Sequence, residues 1–186
     1  DVFEPNVKHY EMTPLNEKIK AFANLGVTAF LVIDDDLSFF SHTKDEFISF
    51  LKRISPSHIV TGEDYTFGRG KEGNTEDLKK EFAVSVCPLL MMDDEKVSSR
   101  YIAADITSGN IQKANKHLGR TYSVKGTVTK GLGNGRKISF PTANLELSDD
   151  YLLPKSGVYK TIVHINNMEK ELKSEYKNNI LFITES

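Results

Sequence analysis

The sequence predicts an α/β protein in which a layered α/β domain is followed by a small antiparallel β-sheet or barrel. From Thr13 to about Leu90, helical periods alternate with short β-rich runs, which is the pattern of βα units laid into a parallel sheet. After Gly119 the pattern changes to alternating residues, as in strands with two different faces. We therefore predict a boundary near Leu118, with residues 1–118 in the first domain and residues 119–186 in the second.

The first βα-like unit is predicted between Thr13 and residue 33. Thr13 can cap a helix that has Pro14 at its first position, and Gly26 is a stop signal after the last periodic residue. The apolar run 29–33 comes next. Its length and composition predict a buried strand.

Two further units follow with similar punctuation. Thr43 with Glu46 predicts a capping box before the second helix, and residues 58–61 predict a short strand. Thr75 opens a third helix, and residues 84–90 predict the strand after it. Three such units indicate one layered domain.

The second half of the chain begins with a helical period and continues with strands. Gly109 and Asn110 interrupt the helical region 98–118, which predicts two short helices. Residues 124–129 alternate between apolar and polar, and residues 157–165 predict the next strand of a small antiparallel sheet or barrel.

The composition is that of an ordinary globular protein. The 186 residues are 39% hydrophobic, and the formal net charge is −2 with an isoelectric point near 6.2. Without a general basic field, binding to nucleic acid or to an anionic membrane is not indicated, and any anion site must be local. No apolar run is long enough to span a bilayer, and the single cysteine, Cys87, lies in an apolar run. We expect a cytoplasmic protein in which Cys87 is a buried structural thiol.

The most informative segment is the stretch 126–145, GTVTKGLGNGRKISFPTANL. Glycines permit close backbone approach to a ligand, and a hydroxyl and an amide two residues apart, Thr142 and Asn144, can reach phosphate and Mg²⁺ together. An alternative stays open, because Gly133, Asn134 and Gly135 also have the composition of a plain β-hairpin turn.

A second glycine-rich loop, residues 61–73, directly follows a predicted strand. In open α/β sheets the loops at the carboxyl ends of parallel strands form the usual ligand crevice. Arg69 and Lys71, placed among glycines, can offer cations and backbone amides to phosphates. A flexible charged loop explains the same spacing equally well, and the order of a Walker A loop is absent.

Three weaker signals have simpler explanations. Ser98 and Ser99 stand before a helix together with Arg100 and could bind an anion there, although plain helix capping is the commoner explanation. The acidic runs 34–36 and 93–95 are better explained as solvated turns than as metal sites. The five histidines show no metal-ligand spacing, so no zinc site is assigned.

Taken together and in this order, the segments resemble the bacterial bifunctional riboflavin kinase/FMN adenylyltransferases, or FAD synthases. The resemblance covers roughly residues 2–165. It implies a Rossmann-like nucleotidyltransferase domain followed by a small kinase barrel. The segments that carry it are Phe3–Pro5, Gly62–Gly73, Ser98 and Ser99 before Ile102, Leu118–Arg120, Gly126–Leu145, and Leu153 and Pro154 with Gly157–Tyr159.

The resemblance implies an activity and a set of site residues. The activity is ATP-dependent phosphorylation of riboflavin to FMN and adenylylation of FMN to FAD, with Mg²⁺ as the metal. The metal would be engaged by Thr142 and Asn144. The residues expected to bind ATP or its phosphates are Gly131, Gly133, Gly135, Arg136, Thr142, Asn144, Ser98 and Ser99. The residues expected on the flavin side are Gly62, Asp64, Phe67, Gly68 and Arg69.

The resemblance also has gaps. The family's histidine-rich phosphate motif would stand before Asp1, and Arg100 and Ala103 replace a threonine and an arginine of the serine-rich motif. The family's general-base glutamate cannot be recognised in residues 166–186. We therefore expect both domains to be incomplete, with the catalytic residues unknown. The alternative is a truncated or degenerate member that binds flavin or adenine nucleotide without catalysis.

Overall fold

The computed structural model describes residues 10–33, 37–129, 142–165, 168–177 and 180–184, and these form a mixed α/β structure. They fall into two compact units. Unit 1 contains Ala29–Val97, and unit 2 contains the described residues of 8–28 and 98–186. The helices are α1 (Leu15–Asn24), α2 (Leu37–Phe40), α3 (Lys44–Ile54), α4 (Thr75–Lys79), α5 (Ser99–Ser108) and α6 (Ile111–Leu118). The strands are β1 (Ile59–Gly62), β2 (Thr66–Phe67), β3 (Gly73–Asn74), β4 (Val84–Cys87), β5 (Met91–Met92), β6 (Glu95–Lys96), β7 (Gly126–Thr129), β8 (Thr142–Leu147), β9 (Gly157–Ile165), β10 (Met168–Lys177) and β11 (Ile180–Thr184).

Unit 1 is built on a parallel pair of strands with a small apolar core. β1 pairs with β4 in parallel, with Ile59 opposite Val84 and Gly62 opposite Cys87. The buried side chains of the core are Ile48, Phe67 and Leu78, and the partly buried ones around them are Phe47, Leu51, Ile59, Phe82 and Val84. One face of the strand pair therefore joins the core of the unit.

Two helices of unit 1 begin at capping boxes, in which side chains satisfy the first amides of the helix. Thr43 Oγ1 accepts from the Glu46 amide at 3.3 Å, and Glu46 accepts from the Thr43 amide at 2.7 Å, which confirms the predicted box of α3. α4 begins at Thr75, which confirms that prediction; its cap is Asn74, and Asp77 completes the box.

The prediction of a buried strand at residues 29–33 is wrong. The segment has no regular secondary structure, and its large side chains are 39% to 67% exposed. Apolar composition supplies β-propensity, but a strand also needs a neighbouring strand for its backbone groups. None of the ladders in the described part of the chain includes this segment.

The other face of the strand pair explains a second error, at Cys87. Cys87 is exposed rather than buried, because residues alternate along β4 and Cys87 lies on the same face as Ser85. Val60, opposite Ser85, is 65% exposed on that face. The strand itself ends at Cys87 rather than continuing to residue 90.

The acidic run 93–95 forms a turn, as predicted. Asp93 and Asp94 have φ values of 51° and 61° and connect β5 to β6, which pair antiparallel. Both residues tolerate the left-handed region better than most, and two such residues match a tight hairpin turn. The run 34–36 lies outside the described residues.

The ends of the helices in unit 2 are set by residues at or next to each terminus. α1 starts at Leu15 after Pro14, and no side chain caps it, so the predicted Thr13 cap is absent. α5 and α6 are separated at Gly109 and Asn110, which confirms that prediction. Gly109 has a φ of 88°, and a Cβ there would lie 3.1 Å from the Tyr159 hydroxyl, so glycine suits this break on two counts.

The strands of unit 2 form one antiparallel sheet in the order β7, β8, β11, β10, β9. The predicted strand 157–165 is confirmed as β9, while β11 had no clear sequence signal. The alternating segment 124–129 contains β7, in which Val128 is 58% exposed. β7 is a terminal strand of the described sheet, so fewer neighbours cover it.

Candidate functional site

The loop 62–73 starts where the parallel strands of unit 1 end. The Glu63 amide donates to the Cys87 carbonyl at 2.9 Å, and the Leu89 amide donates to the Glu63 carboxylate at 3.1 Å. These bonds hold the carboxyl ends of β1 and β4 together. Beside them, the hydroxyl oxygen of Thr61 is buried with no hydrogen-bond partner among the described residues. An unpaired buried hydroxyl at a strand end is a group that a ligand could satisfy.

The far end of the loop is anchored in the core. β2 and β3 pair antiparallel, with Phe67 opposite Gly73. The Phe67 ring is 6% exposed and lies 5.0 Å from the Phe47 ring, centroid to centroid. The hairpin thus carries one aromatic side chain into the core and leaves the intervening residues at the surface.

The middle of the loop is fixed against the start of α3. A Cβ at Gly68 would lie 2.9 Å from the Lys44 nitrogen, and Gly68 has a φ of 76°, so only glycine fits. The Arg69 amide donates to the His42 carbonyl at 2.7 Å. The Lys44 amide donates to the Glu72 carboxylate, also at 2.7 Å. The backbone of the loop is therefore positioned by α3.

The charges of the loop are exposed. Lys96 donates to Asp64 at 2.7 Å, and this hydrogen bond holds the pKa of the Asp64 carboxyl below its ordinary value. Arg69 and Lys71 are exposed on a 3₁₀ turn, Arg69–Lys71. Burial raises the pKa of Tyr65, whose ring stacks on Phe67 with a centroid distance of 6.0 Å. The loop can present two cations and its amides to an anionic ligand.

Ser98 and Ser99 stand at the start of α5, in unit 2. Ser98 is the N-cap, and its Oγ accepts from the Tyr101 amide at 3.4 Å. This is the plain capping role that was the commoner expectation, although the hydroxyl keeps its own hydrogen to donate. Ser99 and Arg100 are exposed.

Thr142 and Asn144 lie on β8, an interior strand of the sheet of unit 2. Asn144 is half-buried and lies opposite Thr129 on one side and Phe182 on the other. Thr142, at the first position of the strand, pairs with Thr184. Among the described residues no hydrogen bond joins Asn144 to Ser98 or Ser99. Four predicted phosphate-binding residues lie outside the described residues: Gly131, Gly133, Gly135 and Arg136.

Two properties of the described residues bear on the site. They contain no group of three or more histidine, cysteine, aspartate or glutamate side chains placed to hold a metal ion. None of their helices combines the length and the apolarity that crossing a membrane requires.

The sequence matches two protein-family models, one after the other along the chain. A model described as FAD synthetase matches residues 1–101, which is more than half of the chain. The chain belongs to the FAD synthetase family. A second model, described as riboflavin kinase, matches residues 118–182.

Curated relatives are named for both activities, riboflavin kinase and FMN adenylyltransferase. The bifunctional riboflavin kinase/FMN adenylyltransferase of Listeria monocytogenes is 37% identical over 160 residues, covering 83% of this chain and 51% of the relative. The enzyme of the same name from Bacillus subtilis is 33% identical over 160 residues, with the same two shares. The chain thus spans about half the length of the curated relatives it matches.

A solved structure shares the fold of the chain. It is the crystal structure described as "Macrolide-efflux Protein from Streptococcus pneumoniae", with a TM-score of 0.88 and 29% identity. The likeness covers 98% of this chain and 64% of that one. The name of that protein refers to a different activity from the names of the curated relatives, and it concerns the Streptococcus protein alone.

The structure adds groups that the motifs did not single out. Lys96 reaches Asp64 across 32 residues of sequence, and no local pattern predicts such a pair. The sequence contained a weak indication of Thr61 as a ligand-binding residue. It is a polar residue at the carboxyl end of a parallel strand, where α/β sheets usually bind ligands, and its hydroxyl is unpaired among the described residues.

Proposed function

We propose that this chain is part of an FAD-forming enzyme that phosphorylates riboflavin to FMN and adenylylates FMN to FAD, using ATP in both reactions. The observation that carries the proposal is the succession of the two family models along one chain, FAD synthetase and then riboflavin kinase. The curated relatives that match most of the chain bear the names of both activities.

In this proposal residues 1–118 form a Rossmann-like nucleotidyltransferase domain with the flavin nucleotide bound at the loop 62–73. The position of the loop at the carboxyl ends of two parallel strands supports this assignment. The residues Gly62, Asp64 and Arg69 are exposed, and the Arg69 guanidinium is available to the FMN phosphate. Phe67 and Gly68 take part by holding the loop, because the ring is in the core and the glycine abuts α3.

Residues 119–186 form the kinase domain, of barrel type, in the same proposal. Thr142 and Asn144 would bind Mg²⁺ together with ATP, and the loop with Gly131, Gly133, Gly135 and Arg136 would line the phosphates. Hydroxyl and amide oxygens suit a hard cation, and Mg²⁺ in proteins is held by few side chains plus substrate phosphates. The half-buried Asn144 in a central strand fits such a role. Bound Mg²⁺ would supply charge neutralisation at the transferring phosphoryl group.

The serines at the start of α5 complete the proposed set. Ser98 and Ser99 would contact ATP phosphates at the N-terminal end of that helix, where a partial positive charge favours anions. The exposed Arg100 beside them adds a full positive charge.

The proposal is tested by incubating the full chain with riboflavin, Mg²⁺ and ATP and separating FMN and FAD by chromatography. We expect FMN to form. Asn144→Ala should lower its rate at least tenfold, as loss of one charge-assisted contact does. Glu146→Gln is the matched control, since Glu146 is an exposed residue of the same strand. Equal rates in the wild type and Asn144→Ala would contradict the assignment of the kinase site.

Flavin binding is measured separately, by quenching of FMN fluorescence. Arg69→Met should weaken FMN binding, while Arg53→Met, an exposed arginine in the last turn of α3, should leave it unchanged. Quenching without product would favour the non-catalytic alternative. If the chain neither forms product nor quenches FMN fluorescence, the proposed function is wrong.

A further inference from the structure

Unit 2 contains a cavity of about 340 Å³ that belongs to neither candidate loop. It lies between α1, together with the residues just before that helix, and the segment that follows α6. Its lining is rich in cations, with three of them (Lys20, Arg120 and Lys125) around a single carboxylate, Glu17. The volume is within the range of small-molecule sites. With every group in its usual ionised state, the charged side chains of the lining sum to a net charge of +2.

The carboxylate is engaged by the two lysines. Lys125 donates to Glu17 at 2.5 Å, and Lys20 lies 3.5 Å from the same oxygen. The hydrogen bond between Lys125 and Glu17 raises the pKa of the lysine and lowers the pKa of the carboxyl, so both stay charged across the neutral range. One carboxylate therefore balances only one of the two lysines.

The third cation is held without a counter-charge. Arg120 donates to the Thr13 hydroxyl at 2.8 Å and to the Thr121 carbonyl at 3.3 Å. Both acceptors are neutral oxygens, and no described carboxylate forms an ion pair with this guanidinium. Two neutral contacts fix the position of the side chain and leave its charge for another partner.

The cavity is also lined by a buried tyrosine. Tyr151 lines it and is 2% exposed, and the Tyr151 hydroxyl has no hydrogen-bond partner among the described residues. This phenol is near enough to Lys125 to act on the pKa of that lysine. Buried hydroxyls are nearly always paired, so a missing partner at a cation-rich cavity points to a ligand. The adjoining N-terminus of α1, which no side chain caps, adds partial positive charge.

We propose that this cavity binds a dianion of the phosphate class. A dianion balances the net charge of +2, whereas a monocarboxylate would leave half of it uncompensated. Arg120 and the two lysines surround the cavity with donors, and the Tyr151 hydroxyl supplies a further hydrogen bond. Lys20 and Lys125 are exposed and can rotate to admit the anion, while Arg120 is already held in place. The site is separate from the candidate flavin and ATP residues, so it does not depend on the proposed function.

The test is a calorimetric titration of the full chain with inorganic phosphate at constant ionic strength. Sulfate serves as a second dianion, acetate as a monoanion, and adenosine monophosphate as a phosphate ester. We expect saturable binding of phosphate and sulfate and much weaker binding of acetate. Arg120→Met should weaken phosphate binding about tenfold or more, as loss of a charge-assisted hydrogen bond does. Lys18→Met, an exposed residue of α1 outside the cavity, is the matched control.

Tyr151→Phe is a second variant, which is expected to fold normally, so that a loss of phosphate binding can be assigned to the site. Because the hydroxyl has no hydrogen-bond partner among the described residues, its removal should leave the thermal midpoint of unfolding unchanged or higher while weakening phosphate binding severalfold. Adenosine monophosphate binding that falls in the same variants would identify a nucleotide as the source of the phosphate. If that binding does not fall, free phosphate is the ligand. The proposal is overturned if phosphate does not saturate, if acetate binds as tightly, or if Arg120→Met and Tyr151→Phe both bind like the wild type.

Discussion

Gly73 is the position where the smallest change should disturb the loop 62–73 most. A Cβ added there would lie 2.6 Å from Cε2 and from Cζ of Phe67. Carbon atoms in contact prefer a separation of about 3.5 Å or more, so the ring would have to retreat by about 0.9 Å. The Phe67 ring is 6% exposed and has Phe47 beside it, which leaves it little space to move.

The cost of Gly73→Ala follows from this overpacking. Forcing an extra carbon into a filled site costs about 1–3 kcal/mol, and we expect about 2 kcal/mol because Gly73 and Phe67 are also paired in the hairpin. That free energy corresponds to an increase of about 30-fold in the population of the open state of unit 1. The assay is hydrogen exchange of the Ile59 and Glu63 amides, which donate to the Ala83 and Cys87 carbonyls in the folded chain.

A double-mutant cycle decides whether the clash is the cause. Phe67→Leu removes ring atoms that the new methyl would meet, so the double variant should lose less stability than the two single losses added together, by about 1 kcal/mol or more. Strict additivity, or a cost of Gly73→Ala below about 0.5 kcal/mol, would refute the reasoning.

Three further predictions concern stability. Thr43→Ala should cost about 1 kcal/mol in urea unfolding, since it removes the side-chain half of the α3 cap; a loss no larger than that of Ser49→Ala on the same helix would contradict it. The Thr43 hydrogen bonds also lower the pKa of Glu46 from 4.5. Their contribution to the free energy of unfolding is therefore fully present above pH 4.5 and is lost as the pH falls through the lowered pKa of the folded state. Thr43→Ala should flatten this pH dependence. Burial raises the pKa of Tyr122 from 10.0 to about 12, so its contribution to stability is fully present below pH 10 and is lost as the pH rises toward 12. Absorbance titration at alkaline pH measures this, and an unchanged titration curve in Tyr122→Phe would exclude Tyr122 as the source. Gly126→Ala would place a Cβ against the Glu146 carbonyl and should break the pairing of β7 with β8, seen as faster exchange of the β7 amides; Thr127→Ala, in the same strand, should leave it intact.

The sequence predicted best where structure depends on nearby residues. The capping box of Thr43 and Glu46 spans one helical turn, and the break at Gly109 depends on a single backbone conformation. The turn at Asp93 and Asp94 is local in the same sense. In each case the residues that decide the structure are adjacent in the chain, so a pattern of a few letters contains the cause.

The motif residues were located by the sequence, but their surroundings were not. The family resemblance predicted Phe67 on the flavin side. Its burial depends on Phe47 of α3 and Leu78 of α4, which the fold brings to it. Asp64 and Lys96 are likewise brought together only by the folding of unit 1. Such contacts depend on how elements pack, which no window of neighbouring residues records.

By itself the sequence determined the α/β class, the capping box of α3, the break between α5 and α6, the strand 157–165, and the family. Tertiary structure alone decided that residues 29–33 pair with no described strand and that Cys87 faces outward. It also formed the cation-rich cavity, in which Glu17 and Lys125 meet although 108 residues separate them. The physical reason is the same in each case. Propensity and capping act along the chain, whereas burial and charge pairing depend on what lies across the fold.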